Sequence, residues 1–224
     1  MLGLLYDVHG NLPALEAVLQ DAGDVDGWLL GGDYTLFGAW PTETLDRLRG
    51  LDATWIRGNG ERWTAAPEDA PEPVRGAISW CAGMLGREVV AEMAALPATH
   101  TDGATLFCHG SPGSDVRSFL PEAAPDEPEL LEGAEADRLV FGHTHLPFAR
   151  DSATGIALVN PGSVGMPFDG DPRAAYAVAH DDGRIEHRRV AYDHLTSAAA
   201  VRGALGPAGE VHASRIERAS IEVG

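Results

Sequence analysis

Short apolar segments recur through the first two thirds of the chain, separated by stretches with helical periodicity. Each segment is brief, and each is followed by Gly, Asp or His, which is typical of buried strands that end in loops. The five segments are residues 3–6, 28–30, 53–56, 105–108 and 139–141. This alternation predicts an α/β architecture in which these five strands form a first sheet covered by helices.

Two stretches place apolar residues on one face of a helix. Asn11 can cap a helix in which Leu12, Leu15, Leu19 and Ala22 share one side. From Val74 the apolar spacing predicts a second, longer helix that ends before Pro97. A short helix is expected over residues 129–135, after a Pro-rich acidic loop.

The C-terminal third contains segments separated by Gly and Asp turns, a pattern that predicts hairpins. The segments are residues 148–150, 156–159, 174–180 and 185–190. We expect them to form a second sheet. The tail after Gly203 has a weak pattern that predicts no structure. The length of 224 residues favours a single domain over residues 1–224.

Net charge and composition limit which molecules the protein is expected to bind and where it is expected to be located. A formal net charge of −18 disfavours stable binding to nucleic-acid polymers, while a small phosphate ester stays compatible with a buried metal site. Cys81 and Cys108 lie far apart and predict reduced core residues rather than a disulfide. The apolar run at the N-terminus is too short for a signal peptide or a membrane span, so we expect a cytoplasmic protein without membrane partners.

Potential metal ligands follow the predicted strands. The ligands are Asp7, His9, Asp33, Asn59, His109, His143 and His145. Because the carboxyl ends of strands in an open α/β sheet face a common crevice, residues remote in sequence can meet there. Each motif alone is commonly a turn or a hydrogen-bonded core histidine, and only their joint occurrence in this order predicts a metal centre.

The ligand chemistry suits two divalent cations. Asp7 and His9 are two residues apart, so in an extended segment they point the same way and can chelate one ion, as can His143 and His145. Asp33 can bridge both ions with its two oxygens. Nitrogen and oxygen ligands without sulfur suit Mn²⁺, Fe, Zn²⁺, Co²⁺ or Ni²⁺. Such a centre would lower the pKa of a bridging water and give a hydroxide that attacks phosphorus.

The ordered motifs Asp-x-His, Gly-Asp, Gly-Asn, His and Gly-His-x-His resemble the calcineurin-like metallophosphoesterase superfamily. Residues 160–165 (NPGSVG) are similar to its small bacterial and archaeal phosphodiesterase branch. The resemblance implies a four-layer αββα sandwich of two mixed sheets and catalytic roles for Asp33, Asn59 and His109, with Mn²⁺ the expected activating metal. It also implies a first ion held by Asp7, His9, Asp33 and His145, and a second held by Asp33, Asn59, His109 and His143.

One position departs from the family pattern. Gly60 occupies the place of a His that usually follows the Asn and is thought to contact the phosphate or protonate the leaving oxygen. Arg62 is the candidate phosphate contact, with a solvated surface position as its alternative, and Tyr34 is expected to pack in the core. The other histidines, His100, His180, His187, His194 and His212, are expected to be structural or exposed.

These features predict a dinuclear metal-dependent phosphodiesterase that acts on small phosphodiesters or nucleotides. A phosphomonoesterase or protein phosphatase would use the same centre and stays an alternative. A non-catalytic binding module that retains the fold is a further alternative, favoured by Gly60 and disfavoured by the seven retained ligands. The natural substrate, the native metal and the oligomeric state are left open.

Overall fold

The computed structural model describes residues 1–222, which form ten strands and eight α-helices. The strands are β1 (Leu2–Leu5), β2 (Gly27–Leu30), β3 (Ala53–Trp55), β4 (Thr99–Asp102), β5 (Thr105–Cys108), β6 (Arg138–Val140), β7 (Phe148–Asp151), β8 (Ala157–Asn160), β9 (Ala174–Ala179) and β10 (Ile185–Val190). The helices are α1 (Leu12–Ala22), α2 (Pro41–Arg49), α3 (Asn59–Ala65), α4 (Arg75–Leu85), α5 (Arg87–Ala94), α6 (Glu127–Leu130), α7 (His194–Leu205) and α8 (Glu210–Arg218). Short 3₁₀ turns cover Pro67–Asp69, Glu72–Val74 and Gly206–Gly209.

The strands form two mixed sheets of five strands each. The first sheet has the order β10-β9-β1-β2-β3 and the second has the order β4-β5-β6-β8-β7. In the first sheet β1, β2 and β3 are parallel to one another, and the β9–β1 and β10–β9 pairings are antiparallel. In the second sheet β5, β6 and β8 are parallel, and the outer strands β4 and β7 pair antiparallel. Helices flank the two sheets, so the predicted four-layer αββα sandwich is confirmed.

Side chains on the two faces of the strands build separate cores. Leu4 and Leu29 of the first sheet pack with Phe107 and Val140 of the second, and form the layer between the sheets. Leu5, one residue beyond Leu4, belongs instead to the cluster that contains residues of α1 and α2. Because side chains along a strand alternate between faces, uninterrupted apolar runs are what buried central strands require.

The assignment of strands to sheets differs from the prediction. β5 and β6 belong to the second sheet, not to the first, and the β9–β10 hairpin belongs to the first sheet, where β9 pairs antiparallel with β1. Only β7 and β8 of the predicted C-terminal strands lie in the second sheet. Apolar runs show that a strand is buried but carry no information about which sheet it joins.

The predicted helices are present with one break. The side chain of Asn11 accepts a hydrogen bond from the backbone N–H of Ala14, so it caps α1 as predicted. The helix expected from Val74 to Pro97 is divided into α4 and α5 at Gly86, whose φ of 78° lies in the left-handed region. The short helix expected over residues 129–135 lies earlier, at α6.

The C-terminal region has structure that the sequence did not reveal. Helices α7 and α8 pack against the loops that follow β2 and β8, through a cluster that includes Leu36, Phe37, Met166, Val201 and Ile216. Helix α2 and strand β4 were also not predicted. Both cysteines are buried and free, as predicted. Within residues 1–222, none of the helices has the length and hydrophobicity that crossing a bilayer requires.

Candidate metal centre

The backbone takes an unusual conformation at most of the predicted ligands. Seven non-glycine residues among residues 1–222 have a positive φ, and five of them are predicted ligands. These five are Asp7 (φ 55°), His9 (50°), Asp33 (57°), His143 (67°) and His145 (59°). The expectation that Asp7 and His9 lie in an extended segment is therefore wrong. Left-handed backbone is costly for such residues and is concentrated at functional sites.

Three of the predicted ligands meet in a first group. Nδ1 of His9 lies 2.9 Å from the carbonyl oxygen of Leu36, and Nδ1 of His145 lies 2.6 Å from that of Met166. A carbonyl oxygen can only accept, so each Nδ1 carries its proton and each Nε2 has a free lone pair. The two Nε2 atoms face each other at 3.0 Å. Oδ1 of Asp7 lies 3.5 Å from Nε2 of His145 and 4.0 Å from Nε2 of His9.

This first group has acceptors without a donor. Oδ1 of Asp7 is buried and has no hydrogen-bond partner. A buried unpaired carboxylate oxygen beside two imidazole lone pairs is unfavourable unless a cation lies between them. Asp7, His9 and His145 therefore fit a divalent ion, and the donor set of oxygen and imidazole nitrogen is one that first-row transition metals accept.

A second group lies next to the first. Nδ1 of His109 is 2.9 Å from the carbonyl oxygen of Gly31, which fixes its proton there and leaves Nε2 as an acceptor. That Nε2 lies 3.1 Å from Oδ1 of Asn59 and 3.5 Å from Oδ1 of Asp33. The same terminal atom of Asn59 lies 2.8 Å from Nδ1 of His143.

The amide of Asn59 can take two orientations. With the amide nitrogen toward His109 and His143, it would donate to both rings. With the oxygen there, an oxygen and two ring nitrogens converge as three acceptors, which is the arrangement that a bound cation stabilises. The second arrangement matches the donors of the first group.

The structure separates His143 from His145. Nε2 of His145 belongs to the group of His9 and Asp7, whereas Nδ1 of His143 faces Asn59. The expectation that these two histidines chelate one ion as a pair is therefore wrong. The left-handed backbone at both positions turns their side chains to different groups. The division that the family resemblance implied agrees with this geometry.

Asp33 lies between the two groups. Its Oδ2 is 3.9 Å from Nε2 of His9, and its Oδ1 is 3.5 Å from Nε2 of His109. The backbone N–H of Gly60 donates to Oδ1 at 2.7 Å. Each carboxylate oxygen of Asp33 is thus directed at a different group, as a bridging ligand requires.

Burial and neighbouring charges together set the charge states of the ligands. Burial lowers the pKa of His9 to about 3 and that of His143 to about 4, so both rings are neutral near pH 7, which is the form that binds metal. Burial raises the pKa of Asp33, and the carboxylates of Glu61 and Asp7 add to this. For Asp7 burial acts in the same upward direction, but the surrounding imidazoles, His145 first, outweigh it and lower the pKa.

Glu61 organises the centre and was not predicted. Its buried carboxylate accepts hydrogen bonds from the backbone N–H groups of Asp33 (2.9 Å), Tyr34 (2.8 Å) and Gly58 (2.7 Å). It therefore ties the loop after β2 to the loop that carries Asn59. Its position directly after Gly60 was the only available signal, and sequence alone does not say where a carboxylate points.

The turn at residues 160–165 supports the site. The side chain of Asn160 donates to the carbonyl oxygen of Gly142 at 3.0 Å and so anchors the loop that bears His143. The hydroxyl of Ser163 donates to the carbonyl oxygen of Asp7 at 2.8 Å. The same hydroxyl accepts from the N–H of Met166, whose carbonyl holds His145. The turn positions ligands and does not supply one.

Arg62 is near the centre but is engaged elsewhere. Its Nε and one Nη each donate at 2.7 Å to the carboxylate of Asp115, and a second Nη lies 3.4 Å from Asp69. The Asp115 hydrogen bond raises the pKa of Arg62, which keeps the guanidinium charged. A phosphate contact by Arg62 would require this bidentate pair to open, so its substrate role stays a prediction.

A cavity of about 230 Å³ opens over the centre. It is bordered by His9, Asp33, Asn59, His143 and His145, and its outer walls are largely apolar. The outer walls include Phe37, Trp63, Val74, Met166, Phe168, Arg215 and Ile221. Most of these wall residues were not predicted, because they come from loops and from α8, where the sequence showed no recognisable motif.

The two buried ligand groups are of the kind that could hold divalent metal ions in an α/β sandwich. Residues 1–183 match the profile of the calcineurin-like phosphoesterase superfamily domain, and the chain belongs to this family. Membership implies hydrolysis of phosphate esters, and the family typically binds a pair of divalent metal ions.

Known proteins are similar to this chain over most of its length. A metallophosphoesterase from Sphaerobacter thermophilus is 30% identical, with 97% of this chain and 99% of that chain covered and a TM-score of 0.82. A hypothetical protein from Pyrococcus horikoshii shares the fold, with 18% identity, coverage of 94% and 96%, and a TM-score of 0.78. An uncharacterized protein of Methanocaldococcus jannaschii is 27% identical over 86% of this chain and 88% of its own length.

Proposed function

We propose that the protein is a metal-dependent phosphodiesterase that acts on small phosphodiesters or nucleotides. The observation that carries this proposal is the pair of adjoining buried acceptor groups, which share Asp7, have Asp33 near a histidine of each, and lie beside one cavity. Two bound divalent cations would supply an activated water and neutralise the phosphoryl oxygens.

Formal charge favours a diester over a monoester. Asp7 and Asp33 contribute carboxylates to the centre, and Glu61 is a third buried carboxylate within hydrogen-bond distance of the Asp33 backbone. With two divalent cations, these carboxylates leave about one net positive charge, counted from formal charges. A phosphodiester carries one negative charge and matches this balance better than a dianionic monoester does.

The glycine at position 60 also favours a diester substrate. The position that carries a His in similar enzymes has only a backbone N–H, and that N–H is committed to Asp33. No side chain of residue 60 can therefore protonate a leaving oxygen. We infer that the enzyme works best on esters whose leaving group is stable as an anion, such as aryl or phosphorylated leaving groups.

The roles of the residues follow from their contacts. Asp33 would hold both ions, and its Oδ1 is itself held by the backbone N–H of Gly60. Asn59 and His109 lie 3.1 Å apart and would hold the second ion, next to which they would orient the phosphate. The cavity walls exclude water from the organic part of the substrate and set its direction.

A comparison of two aryl substrates tests the proposal. The protein is stripped of metal, reloaded with Mn²⁺, and assayed on bis(p-nitrophenyl) phosphate and on p-nitrophenyl phosphate. We expect kcat/KM for the diester to exceed that for the monoester by about tenfold or more, a difference that corresponds to about 1.4 kcal/mol. Asp33→Asn should lose this activity, while Asp24→Asn, at an exposed position, should keep it.

Two other results would replace the proposal. A monoester preference would assign a phosphomonoesterase or protein phosphatase. Metal binding without turnover of either ester, with Mn²⁺, Fe²⁺, Co²⁺, Ni²⁺ and Zn²⁺ each tested, would assign a non-catalytic binding module. We also propose a small phosphate ester as the resident partner, and the cytoplasmic location stays a prediction.

A further inference from the structure

Arg215 is a cation on the wall of the substrate cavity that the proposed mechanism does not use. It lies on α8, near the C-terminus, and borders the same cavity as His9, His143 and His145. The inference drawn from it rests on the proposed function, because it concerns the substrate of that site.

Pairing with carboxylates leaves six arginines without a carboxylate partner within residues 1–222, and of these six only Arg215 borders the cavity over the ligand groups. All sixteen basic residues of the chain are arginines. Ten of them form ion pairs with carboxylates, namely Arg47, Arg49, Arg62, Arg117, Arg150, Arg173, Arg184, Arg188, Arg189 and Arg202. Within residues 1–222, Arg215 pairs with no carboxylate, and its Nε donates only to the carbonyl oxygen of Ile221 at 3.3 Å.

The surroundings of Arg215 partly exclude water from its guanidinium, and within residues 1–222 they supply no carboxylate to it. Burial lowers its pKa, whereas carboxylate partners raise the pKa of arginines such as Arg62 and Arg202. Arg215 is partly buried, and within residues 1–222 it has no carboxylate partner although the chain carries a net charge of −18. A guanidinium held in this way binds a phosphate or carboxylate more strongly than a solvated one does.

An aromatic ring connects Arg215 to the centre. Its guanidinium carbon lies 5.9 Å from the centroid of Phe168. Phe168 in turn stacks on the imidazole of His145, with centroids 4.3 Å apart and an interplanar angle of 20°. Arg215 is thus one aromatic ring removed from a predicted metal ligand, and it lines the same cavity as Trp63 and Phe37. Such flat apolar walls favour a planar organic group.

We propose that Arg215 is a substrate-binding residue that contacts a second anionic group, beyond the phosphate that is hydrolysed. The substrate class that fits is a nucleotide-type phosphodiester that carries an additional phosphate, with its planar ring against the aromatic walls. The scissile phosphate lies at the two ligand groups, and the additional phosphate lies at Arg215, which supplies the only guanidinium among the described residues of the cavity lining.

Two matched substrates test this assignment. One is the p-nitrophenyl ester of thymidine 5′-phosphate, and the other is the same ester with an additional phosphate on the 3′-oxygen. The reacting group and the ring are identical, so the two differ only in the additional charge. The wild-type protein should show a KM about tenfold lower for the bisphosphate, the effect of one charge-assisted contact. Arg215→Gln should abolish this preference and change kcat by less than about twofold.

Control variants and a binding measurement separate a contact from a structural effect. Arg218→Gln removes the same charge from the exposed side of the same helix and should keep the preference. Arg215→Lys keeps the positive charge but lacks the planar guanidinium, so it should retain part of the preference for the bisphosphate. Calorimetric titration with thymidine 3′,5′-bisphosphate and with thymidine 5′-phosphate should reproduce the same difference without turnover.

The outcomes distinguish this inference from the proposed function. If the wild-type protein hydrolyses neither ester, the proposed function fails. If it hydrolyses both but shows no preference for the bisphosphate, or if Arg215→Gln retains the preference, Arg215 does not bind a second anion. An equal rise in KM for both esters in Arg215→Gln would also overturn the inference, because it would place Arg215 on the scissile phosphate.

Discussion

The backbone N–H of Gly60 donates to Oδ1 of Asp33 at 2.7 Å, and a Cβ on residue 60 would lie 2.8 Å from that same oxygen. Residue 60 is therefore held against the bridging carboxylate on the side where a side chain would begin. The packing of the centre leaves no room at this position for the His that the family usually carries there. A side chain at this position has to displace Asp33 or the first turn of α3.

Gly60→Ala should weaken metal binding because the added methyl group pushes on Oδ1 of Asp33. We expect a loss of metal affinity and activity of about 10-fold to 100-fold, the usual effect of disturbing the support of a metal ligand. Calorimetric titration with Mn²⁺ measures the affinity. Gly203→Ala is the matched control, since a Cβ there meets no atom within 4 Å. Unchanged Mn²⁺ affinity, or a gain of activity in Gly60→His, would show that the site can accommodate the side chain.

Glu61→Gln should loosen the same region from the opposite side. The carboxylate accepts from the backbone N–H groups of Asp33, Tyr34 and Gly58, and a carboxamide has only one oxygen to replace two. Hydrogen bonds to a charged acceptor contribute about 1.5–3 kcal/mol each, so we expect unfolding in urea at least about 2 kcal/mol easier. Glu68→Gln, at an exposed position, is the control. A variant as stable as the wild-type protein would assign the loop geometry to other contacts.

The sequence predicted which residues meet because their motifs share one structural context. Asp7, Asp33, Asn59, His109 and His143 each follow a short apolar run, and the carboxyl ends of such strands converge whichever sheet they join. For that reason the error in sheet membership of β5 and β6 did not affect the predicted ligands.

Other features of the site depend on information that a pattern does not carry. The division of His143 and His145 between two groups follows from left-handed backbone at each, which no spacing rule indicates. Arg215 reaches the cavity because α8 packs on a cluster with Phe37 and Met166, contacts between residues far apart in sequence. Periodicity describes one element at a time, so long-range packing of a weakly patterned tail is outside its reach.

Divalent metal should stabilise the folded protein. Asp7, His9 and His145 present acceptors to one another, and removing a cation leaves this buried arrangement uncompensated. At about 100 times the dissociation constant a ligand adds about 2.7 kcal/mol, which for a chain of this size raises Tm by about 5–10 °C. Thermal unfolding after treatment with EDTA, with and without Mn²⁺ or Zn²⁺, measures the shift.

Variants locate the stabilisation by metal at the proposed centre. Asp7→Asn should lose most of the rise in Tm, because it removes the carboxylate that has no other partner. Asp24→Asn should retain it, since this residue is exposed. An equal rise in both variants, or no rise in the wild-type protein with any of these metals, would contradict metal binding at these residues.

His212 should make stability depend on pH independently of the metal centre. Its ring is buried, stacks on Phe37 with centroids 4.1 Å apart, and neither ring nitrogen has a hydrogen-bond partner. Burial, with the nearby charge of Arg215, lowers the pKa of His212 to about 3. The neutral ring is therefore favoured in the folded state, and the unfolded chain binds the proton more readily, with a pKa of about 6.5. Its contribution to stability is complete above about pH 6.5 and decreases as the pH falls toward 3, by up to about 1.4 kcal/mol per pH unit.

His212→Phe isolates this contribution because it keeps an aromatic ring against Phe37 and removes the titrating nitrogens. At pH 7 the variant should be about 1 kcal/mol more stable, since two unpaired buried polar atoms are gone. Between pH 6.5 and 4.5 the wild-type protein should lose about 2–3 kcal/mol more than the variant. Urea unfolding of both metal-free proteins at the two pH values gives the difference directly, and the other titrating groups cancel because both proteins contain them. Parallel loss of stability in the two proteins would mean that His212 is protonated equally in the folded and unfolded states.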